Sequence, residues 1–243
     1  MENFIILLFL AFLVILLKEL SKPQKNYKKR QKANKKFYST STRKRKMIDT
    51  KIKSSWNIEL LKAIEWKTFE KFCAEILRAA RYHAFRTPSG KDDGIDIFAY
   101  QNGDFDNPAA IVQCKAWVTQ KVGVNIVREF YGVMSSYNIT KGIIFITGEF
   151  SEDAKKFAEK NKIILYDGKK IIKVINNSSD LMQNYLKKFL EMKNFAYPTC
   201  PKCNTKMILR ESSKQKEKFW GCKNYPKCKQ MFKLSKYQKK FVE

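Results

Sequence analysis

The chain has 243 residues, with 49 Lys and Arg against 23 Asp and Glu, a formal net charge of +26. Apolar residues make up 44% and aromatics 14%, while Gly (9) and Pro (6) are scarce, which excludes a disordered, collagen-like or Pro-rich chain. The length allows one domain of catalytic size plus a small appendage, and the charge calls for a polyanionic partner, either nucleic acid or an anionic membrane surface.

The excess charge sits at the two ends. Lys18–Lys46 holds 13 Lys/Arg and one acid, and Cys200–Glu243 holds 13 Lys/Arg and three acids, so 22 of the 26 charges lie outside a nearly balanced middle. Four of the six Cys fall in the C-terminal segment at paired spacing, which suits metal binding in a reducing compartment better than a secreted disulfide framework.

In chain order, Phe4–Leu17 is an unbroken run of 14 apolar residues. Counted from Met1 to Leu20, it reaches about 30 Å as a helix, the thickness of a hydrocarbon core, with Lys18 and Glu19 reaching to the headgroups. The rival is a signal peptide, but no basic stretch precedes the run and no small-residue cleavage site follows it. A transmembrane anchor over 1–20 is therefore expected, and the basic block behind it places the body of the protein in the cytoplasm, at the inner membrane. Residues 21–55 lack apolar periodicity and read as a basic flexible linker.

The folded middle, 56–196, opens with a helix on which Phe69, Phe72, Cys73, Ile76, Leu77 and Ala80 form one apolar face. Strands follow at Phe85–Thr87, Ile95–Tyr100 and Ala110–Trp117, then a helix carrying Ile126, Val127, Phe130, Met134 and Tyr137. Gly142–Thr147 is a buried strand, Ser151 caps a helix with Glu152 and Asp153 in its first turn, Lys162–Tyr166 is a strand and Leu181–Phe195 a helix. The order predicts a mixed α/β sheet domain.

Two segments concentrate chemistry. In SGKDDGIDIFA (Ser89–Ala99), Asp92, Asp93 and Asp96 surround Gly94 ahead of a strand. In IVQCKAW (Ile111–Trp117), strand alternation sets Gln113 and Lys115 on one face and Val112 and Cys114 on the other. With Asp96 beside them, carboxylate, amide oxygen and ammonium would meet at one point. Phosphodiester hydrolysis needs that set, because hard oxygens hold Mg²⁺ while metal and ammonium polarise the phosphate. An Asp–Lys ion pair at a strand end is the plain structural alternative. His83 is the one histidine, so a His-based triad is not expected, and Cys73 reads as core.

WKTFEKFCAEILRAARY, TPSGKDDGIDIFA and IVQCKAW, continued by the sequence to about residue 172, together resemble the Mrr-type restriction endonuclease domain of the PD-(D/E)xK nuclease superfamily. The resemblance implies a restriction-endonuclease-like mixed sheet with an αβββαβ core and Mg²⁺-dependent DNA cleavage, often of modified or foreign DNA. By position it implies that Asp96 binds metal, that Gln113 and Lys115 form the (E/Q)xK element with Lys115 as catalytic lysine, and that Glu70 of the Phe69–Glu70 pair is the helix carboxylate, with Asp96 and Glu70 as the magnesium ligands. On a helical wheel Glu70 lies nearer the apolar stripe than Glu75, the fallback. Asp93 is a candidate auxiliary ligand. Gln113 stands where the wider superfamily has an acid.

At the C-terminus, over 197–243, Cys200, Cys203, Cys222 and Cys228 give CxxC and CxxxxxC separated by 18 residues, a pattern suited to a structural Cys₄ zinc site. FWGCKNYPKC resembles the C-terminal zinc fingers of bacterial type I DNA topoisomerases, which bind single-stranded DNA. Phe219, Tyr225 and Phe232 interleave with Lys218, Lys223 and Lys227, aromatics for stacking among cations for phosphate, with Trp220 expected in the core. Because the nuclease has its own interior, losing a zinc ligand is expected to unfold the finger alone. The combined expectation is a membrane-tethered Mg²⁺-dependent DNA endonuclease with a DNA-binding finger. Two-strand cleavage would need two sites, which a homodimer would supply. The alternative is a nuclease-like domain without catalysis that binds nucleic acid at the membrane.

Overall fold

The computed structural model describes residues 56–88, 93–116, 121–213 and 217–242. The expected anchor (1–20) and linker (21–55) lie outside these, and among the described residues no helix is long and apolar enough to cross a membrane.

The first part opens with a short helix, α1 (Ile58–Ala63), capped by the Asn57 side chain, and α2 (Trp66–Ala79), capped by Glu65. Then come β1 (His83–Arg86), β2 (Ile97–Tyr100) and β3 (Ala110–Lys115). The helix α3 (Val124–Ser136), β4 (Gly142–Ile146), α4 (Glu152–Lys160) and β5 (Ile163–Tyr166) follow. Two further helices, α5 (Gly168–Asn176) and α6 (Asp180–Met192), end this part. The strands form one sheet in the order β1-β2-β3-β4-β5, antiparallel across β1–β3 and parallel across β3–β5.

The expected order of elements is found, with strand ends moved by one or two residues and α1 and α5 added. Asp167 caps α5 by accepting from the Lys170 amide at 2.7 Å, so the glycine behind it starts a helix rather than a turn. Ser151 caps α4 as expected, accepting from the Ala154 amide at 3.2 Å. The last helix stops at Met192 rather than Phe195, because Asn194 turns to φ 47° and Phe195 drops into the core.

Strand alternation sorts side chains to two faces. Ile97, Ala99, Val112, Ile143 and Phe145 face a core shared with α1, α2, α5 and α6. Ile111, Ile144 and Ile146 face a second core with α3 and α4. Every residue of β4 is buried, as a central strand with parallel partners and helices on both faces requires. The two parallel crossovers, through α3 and α4, pack on the same face, as connections of one hand must.

The C-terminal part is a three-stranded antiparallel sheet, β6 (Ile208–Glu211), β7 (Lys218–Gly221) and β8 (Met231–Lys233), in that order, and a helix, α7 (Lys236–Val242). It does not stand apart. The described residues form one compact unit, and α7 returns to the first part. There the Lys240 ammonium pairs with Glu59 at 2.5 Å, and the Phe241 ring meets Phe195 with centroids 5.1 Å apart.

Phe72 is fully buried on α2 and its ring lies 5.6 Å from that of Trp56. Phe72→Ala should cost about 3–5 kcal/mol, read as a lower denaturant midpoint with an unchanged slope. A loss below about 1 kcal/mol would show that this layer is not tightly packed.

Candidate active site and zinc ribbon

The site begins where two strands part. The β2–β3 ladder ends at the pair Ile97–Val112, and the Asp96 amide still donates to Val112 O at 2.9 Å. Beyond it the chain turns away, because Asp93 (φ 48°) and Gly94 (φ 79°) adopt the left-handed conformation. The expected strand start at Ile95 therefore moves to Ile97. On its other side β3 stays paired with β4 as far as Lys115–Ile146.

This opening leaves the Cys114 N–H without a strand partner, and Asp96 supplies one. Its Oδ2 accepts from the Cys114 amide at 2.6 Å, a short bond to a charged acceptor that fixes the carboxylate between Gln113 and Lys115. Gln113 is buried, and its Nε2 donates to Gly94 O at 3.1 Å. That bond orients the amide, and Gln113 Oε1 is left buried with no hydrogen-bond partner. A Cβ on Gly94 would sit 2.7 Å from Gln113 Nε2, so only glycine fits both the backbone angle and this contact. Alternation places Lys115, half-buried at the strand end, on Gln113's side.

Glu70 approaches from α2, from the side of Cys73 and Cys114. Its carboxylate pairs with Arg86 of β1 at 3.3 Å. Burial pushes its acid strength down, to a pKa of about 7, and the neighbouring Asp96 charge adds to the rise while Arg86 and Lys67 oppose it. Asp96 and Glu70 lie close enough for the charge of one to raise the other, and such paired carboxylates are the hard oxygen donors that Mg²⁺ takes while keeping its waters. Glu75 is engaged elsewhere, with Arg78 at 2.6 Å and the Tyr185 hydroxyl at 2.7 Å. Asp93 is exposed and accepts from the Tyr137 hydroxyl at 3.4 Å. Asp92 lies outside the described residues. Burial raises the Cys73 and Cys114 thiols, which suits packing and not nucleophilic attack. Arg86 is the residue that sequence reasoning missed, though a lone Arg ending a strand just ahead of the Asp-rich turn marks it.

In the C-terminal part the Sγ atoms of Cys200, Cys203, Cys222 and Cys228 all lie within 4.8 Å of one another. The Cys200–Cys228 separation is 3.8 Å, which equals the edge of a tetrahedron with Zn–S bonds of about 2.3 Å. The thiols therefore fit one zinc ion. Trp220 is fully buried behind them, as expected.

The stacking candidates divide. Phe232 pairs across the strands with Trp220 and packs on the buried side, so it does not share a surface with Phe219. Phe219 is half-buried on the other face, in a cross-strand row between Arg210 and Lys233. Tyr225 is 59% exposed, and the Arg210 guanidinium lies 5.4 Å from its ring centre. Gly221 makes room for this Arg, since a Cβ there would meet Arg210 Cδ at 2.7 Å. Lys218, Lys223 and Lys227 are exposed. A groove of about 960 Å³ follows Phe219, Lys218, Lys233 and Lys239, with Glu211 and Glu217 also on its wall. Arg210 was missed by sequence reasoning, although alternation along Ile208–Glu211 sets it opposite Phe219.

Raising the Glu70 pKa from 4.5 to about 7 makes folding favour the protonated acid, so the stability present at low pH is lost as pH rises across that window. In metal-free protein, Glu70→Gln should thus be more stabilising at pH 8 than at pH 5 by about 2–3 kcal/mol. Denaturation curves at the two pH values check this, and equal shifts would remove Glu70 from the buried pair.

Residues 61–175 match the family model of the restriction endonuclease Mrr catalytic domain, and residues 198–237 match that of the topoisomerase DNA binding C4 zinc finger. DNA topoisomerase 1 of Mycoplasma genitalium is 28% identical over 110 residues, 45% of this chain and 14% of that protein. Among solved structures, the MspJI restriction endonuclease with a 27-mer oligonucleotide is 16% identical, with a TM-score of 0.38, over 56% of this chain and 34% of that one. The DNA modification-dependent restriction endonuclease AspBHI is 14% identical, with a TM-score of 0.41, over 59% and 42%. The chain spans less than half the length of each of these three relatives. It carries an Mrr-type restriction endonuclease domain followed by a topoisomerase-type C4 zinc ribbon.

Proposed function

We propose that the protein is a Mg²⁺-dependent DNA endonuclease, acting in restriction or processing of foreign DNA, whose zinc ribbon holds the nucleic acid and whose apolar N-terminal run tethers it to the inner membrane. The observation that carries the catalytic reading is the Asp96 carboxylate seated on the Cys114 N–H between Gln113 and Lys115. Asp96, Glu70 and Gln113 Oε1 would hold the metal. Bound there, Mg²⁺ would supply Lewis-acid polarisation of a phosphodiester and a more acidic water. The chain's own part is to keep those oxygens fixed. The Cys114 amide holds Asp96, the Gly94 carbonyl holds Gln113, and the Arg86 guanidinium holds Glu70. The Lys115 ammonium on the Gln113 side is suited to neutralise charge building on the phosphate oxygens.

On the ribbon, Phe219 and the Arg210–Tyr225 stack offer π-faces to unpaired bases, and Lys233 with the exposed lysines offers charge to the backbone. The same basic linker and tether would bring both parts to the membrane surface.

Asp96→Asn and Lys115→Ala should each reduce Mg²⁺-dependent plasmid cleavage by about 10²-fold or more, with DNA binding and folding retained. Undiminished cleavage by either variant rejects this site. DNA binding without cleavage by the wild type, on modified and unmodified substrates, supports instead the binding-protein reading that Gln113 in place of an acid invites. For the ribbon, Phe219→Ala should weaken single-stranded DNA binding by about 1–3 kcal/mol. Arg210→Gln should flatten the log–log salt slope by about 0.7. Binding isotherms at several salt concentrations check both, and unchanged affinity and slope would take the DNA surface elsewhere. Cell fractionation tests the tether: full-length protein should stay in the carbonate-washed membrane pellet, and a soluble mature form starting near Ser21 would mark a cleaved signal.

A further inference from the structure

Glu65 is 4% exposed and sits between the nuclease helix and the zinc site. As N-cap of α2, its carboxylate accepts from the Thr68 amide (2.9 Å), the Thr68 hydroxyl (2.5 Å) and the Lys67 amide (3.1 Å). The same carboxylate accepts from the Thr199 amide (3.1 Å), the Thr199 hydroxyl (3.3 Å) and the Lys206 ammonium (2.9 Å). Three donors come from α2 and three from the ribbon.

The ribbon donors belong to the first zinc knuckle. Thr199 directly precedes Cys200 and Lys206 follows Cys203 by three residues, and the two are paired across an antiparallel bridge. The knuckle closes on itself through Asn204 N to Cys200 O and Cys200 N to Thr205 O, both at 2.8 Å. The next residue of α2 joins in. The Trp66 indole donates to Thr199 O at 2.9 Å, and the Lys67 ammonium contacts the Asn204 amide oxygen. Glu70 lies five residues after Glu65, on the second turn of this helix.

We propose that Glu65 is a positioning residue through which zinc loading of the ribbon fixes the first turns of α2, and with them the Glu70 carboxylate. When zinc leaves, the knuckle that carries Thr199 and Lys206 loses its four-thiolate closure, and only the Thr199–Lys206 bridge and the Trp66 and Tyr197 contacts remain to hold them. Glu65 then loses half its donors while still buried, and a buried carboxylate so short of partners turns outward to water. Its cap on the Thr68 and Lys67 amides goes with it, and the helix start that carries Glu70 frays. By linkage, the cap in turn strengthens zinc binding. The catalytic consequence rests on the reading of Glu70 as part of the metal site, but the coupling between zinc and α2 does not.

The test uses the full chain, zinc-loaded and stripped with a zinc-selective chelator, followed by amide hydrogen exchange over residues 66–71. Stripping should raise exchange there by about tenfold or more while β4 stays protected. Glu65→Gln, which keeps the shape and loses the charge, should raise exchange in the zinc-loaded state and release zinc to a competing chelator several-fold more readily. Lys206→Met, which alters an exposed side chain, should shift both in the same direction by less. Exchange over 66–71 that is indifferent to zinc overturns the proposal, as does wild-type zinc retention in Glu65→Gln. Mg²⁺ titration of the same samples separates the two readings. Weaker Mg²⁺ binding in the stripped chain extends the coupling to Glu70. No Mg²⁺ binding in the zinc-loaded chain overturns the metal site and the catalytic half of the proposal, and leaves the exchange result to judge the coupling.

Discussion

A single unpaired amide organises the candidate site. Where β2 leaves β3 beyond Ile97–Val112, the backbone N–H of Cys114 would be left without a partner in a half-buried strand, at a cost comparable to a lost hydrogen bond. Asp96 meets that need with a carboxylate, and so a charge is anchored at a position where a regular ladder would have put a carbonyl. The rest follows from this substitution. The left-handed turn at Asp93–Gly94 frees Asp96 to reach over, Gln113 fills the space that Gly94 leaves, and Glu70 comes close enough to Asp96 to feel its charge. Strand pairing and charge placement are thus one feature rather than two.

The strain of that arrangement is electrostatic. Glu70 is buried next to a like charge, with a salt bridge to Arg86 that does not fully offset the burial. A buried second carboxylate and an unsatisfied amide oxygen go beyond an isolated Asp–Lys ion pair. On the proposed reading a divalent cation would complete the set, and its donors sit on a central strand, a capped helix and a tight turn.

Much of this was legible in the sequence, and the reasons are local. Alternation along IVQCKAW separated Gln113 and Lys115 from Val112 and Cys114, and the structure keeps that division. Wheel position set Glu70 nearer the apolar stripe than Glu75, and in the structure Glu75 contacts Tyr185 and Arg78. Paired cysteines at metal-site spacing gave the ribbon. What stayed hidden depends on contacts between distant segments. Arg86 matters because β1 runs beside α2, Phe232 faces inward because register puts it opposite Trp220, and Glu65 reads as an ordinary helix cap until Thr199 and Lys206 arrive beside it. The expectation that finger and nuclease would unfold separately rested on the nuclease having its own interior. It did not foresee a buried carboxylate shared by both.

The return of α7 to the nuclease part bears on how the protein is made. Glu59 of α1 finds its Lys240 partner 181 residues later, and Gln238 joins Trp220 of the ribbon to the Ala196 carbonyl. On a ribosome adding about 5–20 residues per second, α1 would wait on the order of ten seconds or more before residues 236–242 emerged to cover it. Contacts of such long range slow folding and prolong the exposure of apolar surface. The first helices of this protein therefore keep part of their apolar surface uncovered until the C-terminal helix has been made.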